Sequence, residues 1–199
     1  MRYLLSIVGS LAAATALPAH AQTDRDAVAE CVVDNDIREV RLLLNTLPGS
    51  PEERRIGAKV MAFYGGCNDN KIVAGWLAWR ERAEIANAAL MWRLARSPFD
   101  PAATPRNGWK LAVSGKVAGT DYDAGSASMR QFGDCIVAID PAAALRLVRS
   151  SPNGSDEAAA IKILAPTLND CLAPGVNFKL KRADLRLVVA EPLYHLIAK

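Results

Sequence analysis

Apolar residues recur along this chain at spacings of three and four, the period of a helix with one buried face. Val28, Cys31 and Val32 share one face of an opening helix that should stop near Asp34. Val40, Leu43 and Leu44 make a second stripe, ended by Pro48, and Gly57, Val60, Tyr64 and Cys67 a third. The most regular stripe follows at Trp76, Trp79, Ala83, Ala86, Leu90 and Leu94, widened by Ile85, Ala89 and Trp92. The pattern then returns. Phe132, Cys135 and Ile136 open it, Ala144, Leu147 and Val148 continue it up to Pro152, and Ile161, Leu164, Leu168 and Cys171 follow. Leu180, Ala183, Leu187, Ala190, Tyr194 and Ala198 complete the second set, apolar at every position.

The displacement between the two sets is 104 positions throughout, and no gap is needed. Val33 falls on Val137, Asp36 on Asp140, Leu43 on Leu147, Pro48 on Pro152, Glu53 on Glu157, Arg82 on Arg186 and Ala86 on Ala190. Both cysteines coincide as well. A fixed displacement with matching residues between is how a duplicated unit announces itself. The sequence therefore predicts an all-α fold of two similar multi-helix units, residues 22–96 and 126–199, packed as one domain about an approximate two-fold. An irregular segment, 97–125, joins them. In it Trp109, Leu111 and Val113 alternate with polar residues and predict a short extended stretch, as Val176, Phe178 and Leu180 do before the last helix.

Helix punctuation agrees with this division. Asp36 and Asp140 stand where a carboxylate can accept free N–H groups at a helix start. Pro141 follows at the first helical position, where a missing donor costs nothing. Ser50-Pro51-Glu52-Glu53 combines a capping serine, an initial proline and a glutamate placed to return the bond. Ser155-Asp156-Glu157 is expected to do the same one position later. Pro192 removes a hydrogen bond to the Val188 carbonyl and predicts a kink.

The amino end changes the picture of where the chain resides. Arg2, an apolar run from Tyr3 to Leu17, Pro18 and then Ala19-His20-Ala21 have the form of a secretory signal, residues 1–21, with cleavage before Gln22. The expectation is a periplasmic or secreted protein without a stable membrane anchor. Cleavage would leave 178 of the 199 residues, with 23 basic and 21 acidic side chains, a balance too even to suggest a nucleic-acid partner.

Four cysteines in an exported chain favour disulfides. Among three possible connectivities the duplication selects Cys31 with Cys67 and Cys135 with Cys171, since each bond must have been possible inside a single unit. No Cys-x-x-Cys pair and no histidine near a cysteine supports zinc or a thioredoxin-like site.

Candidate chemistry is sparse. His195, the one imidazole left after cleavage, is expected on a helix surface or rim, and no Gly-x-Ser-x-Gly elbow accompanies it. Asp121-Tyr122-Asp123-Ala124-Gly125 begins like a calcium loop, but its glycine comes one residue early and Phe132 stands where a bidentate glutamate is needed. No phosphate loop or dinucleotide fingerprint occurs, so no cofactor is implied. Two features exceed what packing requires. Arg82 and Arg186 lie near helix starts, where the macrodipole disfavours a cation, and predict ion pairs with Glu30 or Glu53 and with Asp134 or Glu157. Trp76, Trp79 and Arg80 differ from their counterparts Leu180, Ala183 and Asp184; they are either core packing or a binding edge in the first unit alone.

The expected function is a non-enzymatic exported protein that binds or scaffolds an envelope protein or a small ligand. A hydrolase whose acidic site assembles only in the fold is the alternative, and a holdase-like chaperone a third.

Overall fold

Ser50 and Glu53 begin a helix as their order implies: the Ser50 hydroxyl oxygen accepts the Glu53 N–H at 3.0 Å, and the Glu53 carboxylate accepts the N–H of Gly49. The computed structural model describes residues 20–68, 79–101, 124–172 and 180–197, with side chains except at 20–24 and 124–128. Among them are seven helices and no strand: α1 (His20–Leu44), α2 (Pro51–Cys67), α3 (Trp79–Arg96), α4 (Ala124–Ile139), α5 (Pro141–Arg149), α6 (Ser155–Asp170) and α7 (Arg182–Ile197). The predicted signal segment up to residue 19 lies outside this description, and so do Trp76, Trp109 to Val113, Asp121 to Asp123, Val176 and Phe178.

The break expected near Asp34 falls at Asp36, where φ −151° and ψ 79° interrupt α1. Its carboxylate accepts the N–H groups of Arg38 and Glu39 at 3.0 and 3.1 Å, restarting the helix. At Asp140 the backbone takes nearly the same angles, φ −138° and ψ 76°, and the side chain accepts the Ala143 N–H at 2.9 Å. There the chain leaves the helix, so α4 and α5 are separate elements.

Ser155 does not cap α6. It is the first helical residue, and Gly154, which has no side chain to offer, stands at the capping position. Glu157 still reaches back, accepting the N–H of Asn153 at 2.9 Å. The turns before α2 and α6 are both left-handed, through Gly49 at φ 81° and Asn153 at φ 60°. Asparagine is among the few side chains that tolerate this conformation.

Cys31 is bonded to Cys67 and Cys135 to Cys171, with Cα atoms 5.9 and 5.7 Å apart and 36 positions between partners in both. One bond ties α1 to the end of α2, the other ties α4 to the end of α6. In the chain-entropy account, loops of this length are worth about 4 kcal/mol per bond.

α7 is the centre of the packing, with α3, α4 and α5 against it, while α1 packs on α2 and α3. A buried seam was expected along one face of α7, but every residue from Leu185 to Ile197 is buried. That includes His195, only 7% exposed, which corrects the expectation of a rim histidine. The reason is enclosure by three helices, which leaves α7 no solvent face. α3 and α7 run side by side in the same direction. Arg80 at the start of α3 meets Asp184 at the start of α7 at 2.8 Å, and Arg93 near the end of α3 donates to the Ile197 carbonyl at 3.1 Å. Among the described residues no helix is long and apolar enough to cross a membrane.

Candidate functional site

The burial of α7 forces an account of its charges. Arg82, on α3 and 2% exposed, donates from Nη1 to Glu53 Oε1 at 2.6 Å and to the Thr46 hydroxyl at 3.2 Å. Its Nε and Nη2 reach the two oxygens of Glu191 on α7 at 3.1 and 2.7 Å, and Nη2 also meets the Thr46 carbonyl at 3.2 Å. From α4, Arg130 brings Nη1 to 2.5 Å from Glu191 and Nε to 3.1 Å from Asp134. His195 Nε2 lies 3.6 Å from the same Glu191 oxygen. One carboxylate thus faces two guanidinium groups and an imidazole, all buried.

The environment sets the protonation of this cluster. Burial works to raise Glu191, yet Arg130 and Arg82 hold its carboxyl well below the usual range. Asp134 has the opposite balance: burial pushes it up to about 7, against the pull of Arg130 and with Glu191 adding to the rise. The cluster joins α2, α3, α4 and α7, and its enclosure keeps it from meeting a dissolved ligand.

Arg186, on α7, is held in a similar frame. Nη1 donates to the carbonyls of Val148 and Ser150 at 2.7 Å each, and Nη2 to Glu157 at 2.9 Å and to the Ser150 hydroxyl at 3.2 Å. Its Nε, whose equivalent on Arg82 is taken by Glu191, has no partner among the described residues. Here the packing opens. A cleft of about 250 Å³ is lined by Asp26 and Glu30 of α1, by Glu84, Asn87 and Met91 of α3, by Arg186, and by the end of α5 and the turn after it, from Arg149 to Pro152.

Two acceptors in the cleft wall have no partner among the described residues. Glu84, 4% exposed, takes Arg25 at 3.4 Å and Arg80 at 3.2 Å on Oε1, while Oε2 has no hydrogen bond among the described residues. Asn87 Oδ1 has none either. Burial raises the carboxyls of both Glu84 and Asp26, against nearby arginines in each case.

Of the residues singled out from the sequence, Arg82 meets Glu53 and Arg186 meets Glu157, while Asp134 turns to Arg130 instead. Arg80 ties Glu84 to Asp184 and so braces one cleft wall. Trp79 is half-buried against the core, and Trp76 is outside the described residues. Of the cleft residues, sequence reasoning names Arg186 and Glu30 but misses Asp26, Glu84 and Asn87. A signal existed: at the displacement of 104, Asp26 falls on Arg130 and Asn87 on Glu191, a reversal and a difference of charge between corresponding places.

No family model, curated protein or solved structure matches this chain. Among the described residues, no group of three metal-ligating side chains occurs.

Proposed function

We propose that the chain is a non-enzymatic exported binding protein, made of two copies of one disulfide-closed helical unit, and that its ligand site is the cleft between α1, α3 and the turn before α6. The observation that carries this is an inequality between matching places. Where Arg130, Glu191 and His195 fill the second half, Asp26, Asn87 and Met91 leave about 250 Å³ in the first. Duplication is supported by the paired details: interruptions at Asp36 and Asp140, left-handed turns at Gly49 and Asn153, and equal disulfide separations. Arg80 with Asp184 and Arg93 with Ile197 are each 104 apart, so counterparts touch one another, as they do along a two-fold axis.

The hydrolase reading draws on the raised carboxyls of Asp26 and Glu84. Against it, Glu84 is engaged by two arginines, and the Ser150 hydroxyl already donates to the Leu147 carbonyl at 2.7 Å and accepts from Arg186. The large apolar side chains that are exposed, such as Leu42, Phe63 and Ile163, stand on different helices, which favours binding in a cleft over holdase action.

The test is a charge-balanced set of small cations, anions and neutral solutes titrated into the oxidised protein, followed by amide shifts. Saturable changes grouped on Asp26, Glu84, Asn87 and Ser151 are expected. Changes absent for every solute, or scattered over the surface, would refute the assignment. Amino-terminal sequencing of the envelope fraction should begin at Gln22.

A further inference from the structure

Resting on the binding reading just given, we propose that the cleft takes a small organic cation, a guanidinium or primary ammonium group on a short aliphatic chain. The second half holds such a group of its own in the matching place. The Arg130 guanidinium sits between Asp134, with Nε at 3.1 and 3.2 Å from its oxygens, and Glu191, at 2.5 Å. Shifting by 104 positions carries Asp134 to Glu30 and Glu191 to Asn87, so both places that receive the cation keep an acceptor oxygen. Arg130 itself is carried to Asp26. The first half thus retains the receptor, lacks the cation, and adds a carboxylate where the cation was rooted.

The charges of the cleft point the same way. Arg186 is neutralised by Glu157 at 2.9 Å, and the Oε1 of Glu84 by Arg25 and Arg80. Among the described residues Asp26 and Glu30 have no ion pair, the Oε2 of Glu84 and Oδ1 of Asn87 have no donor, and the exposed Arg149 is the one lining cation without an ion pair, so the unpaired carboxylates outnumber it. A planar guanidinium or an ammonium supplies several N–H donors to just such a set. About 250 Å³ accommodates it with a few methylenes, and Met91, 38% exposed at the wall, offers those methylenes an apolar flank. The anionic alternative would set a fourth carboxylate beside Asp26, Glu30 and Glu84, with the exposed Arg149 and the Nε of Arg186 to receive it.

Calorimetric and amide-shift titration with agmatine tests this, with succinate as the anionic control. Agmatine should bind with a dissociation constant of about a millimolar or tighter, shifting Asp26, Glu84 and Asn87. Succinate should produce no saturable change. Asp26→Asn combined with Glu30→Gln should weaken agmatine at least about tenfold, the worth of one lost charge-assisted contact. Asp26→Arg, which supplies the guanidinium from the chain itself, should abolish binding while melting at or above the native temperature. Failure of agmatine to bind at about ten times that concentration overturns the cation assignment, and so does an Asp26→Arg protein that is folded and still binds agmatine. If anionic or neutral solutes still shift the cleft, the binding reading survives that failure; if nothing does, both fall.

Discussion

Arg82 and Arg186 occupy matching positions and differ in one respect that decides their energetics: Arg82 faces two buried carboxylates, Arg186 one. Removing a partner from a buried pair leaves an uncompensated charge and costs about 3–5 kcal/mol. Arg82→Met takes from Glu53 its only ion pair among the described residues and leaves Glu191 with Arg130 and the His195 imidazole, so it should fall at the upper end of that range. Arg186→Met should cost roughly 1 kcal/mol less, as read from urea unfolding of the oxidised protein. Asp134 makes a separate prediction. Its folded pKa, about 7, exceeds the unfolded 3.8, so folding takes up a proton between those values. Its contribution to stability is complete below the unfolded value and is lost as pH rises through 7. Asp134→Asn should flatten the dependence of unfolding free energy on pH across this window and narrow the difference between its two ends by roughly 2–4 kcal/mol. An unchanged slope would show that another group titrates there. At this scale the sequence disclosed Arg82 and Glu53, because both belong to one half and recur in the other. Glu191, Arg130 and His195 were not legible as a group, since Glu191 meets Arg82 only through the packing of α7 on α3, and Arg130 and His195 gather on Glu191.

Helix starts were legible wherever the capping side chain was itself in the sequence, as at Asp36, Ser50 and Asp140. The start of α6 was misplaced by one residue because Ser155 is a good cap and Gly154 a silent one. α7 shows a different limit. Periodicity reports a helix with one dry face, and a helix enclosed by three others has no wet face to contrast with it. That enclosure depends on close approach. Pro192 has no N–H to give the Val188 carbonyl, and Gly133 of α4 lies over that oxygen so closely that an added Cβ would sit 2.0 Å away. Gly133→Ala must push α4 from α7 and should destabilise by about 2–4 kcal/mol, despite the better helix propensity of alanine. Gly65→Ala in α2, with nothing within 4 Å, should be neutral or stabilising by up to about 1 kcal/mol. Thermal unfolding of the two variants, compared side by side, checks the sign of each.

For the whole molecule, the helical class and both disulfides could be read from periodicity and cysteine spacing. The cleft could not, because it is formed by α1 and α3 together with a turn and an arginine more than 50 residues further on, and only the packing brings them together. The proposed duplication makes the two arginine environments interchangeable, which a double substitution can examine. Asp26→Arg with Asn87→Glu gives the first half the side chains that surround Arg82 in the second. The Nε–H of each arginine can be followed by its solvent exchange in nitrogen-resolved spectra. In the native protein the Nε–H of Arg82, bonded to Glu191, should exchange slowly and that of Arg186 faster. In the double variant, Arg186 should become as slow as Arg82. If its exchange stays at the native rate in a folded double variant, the two halves are not built on one plan and the account is wrong.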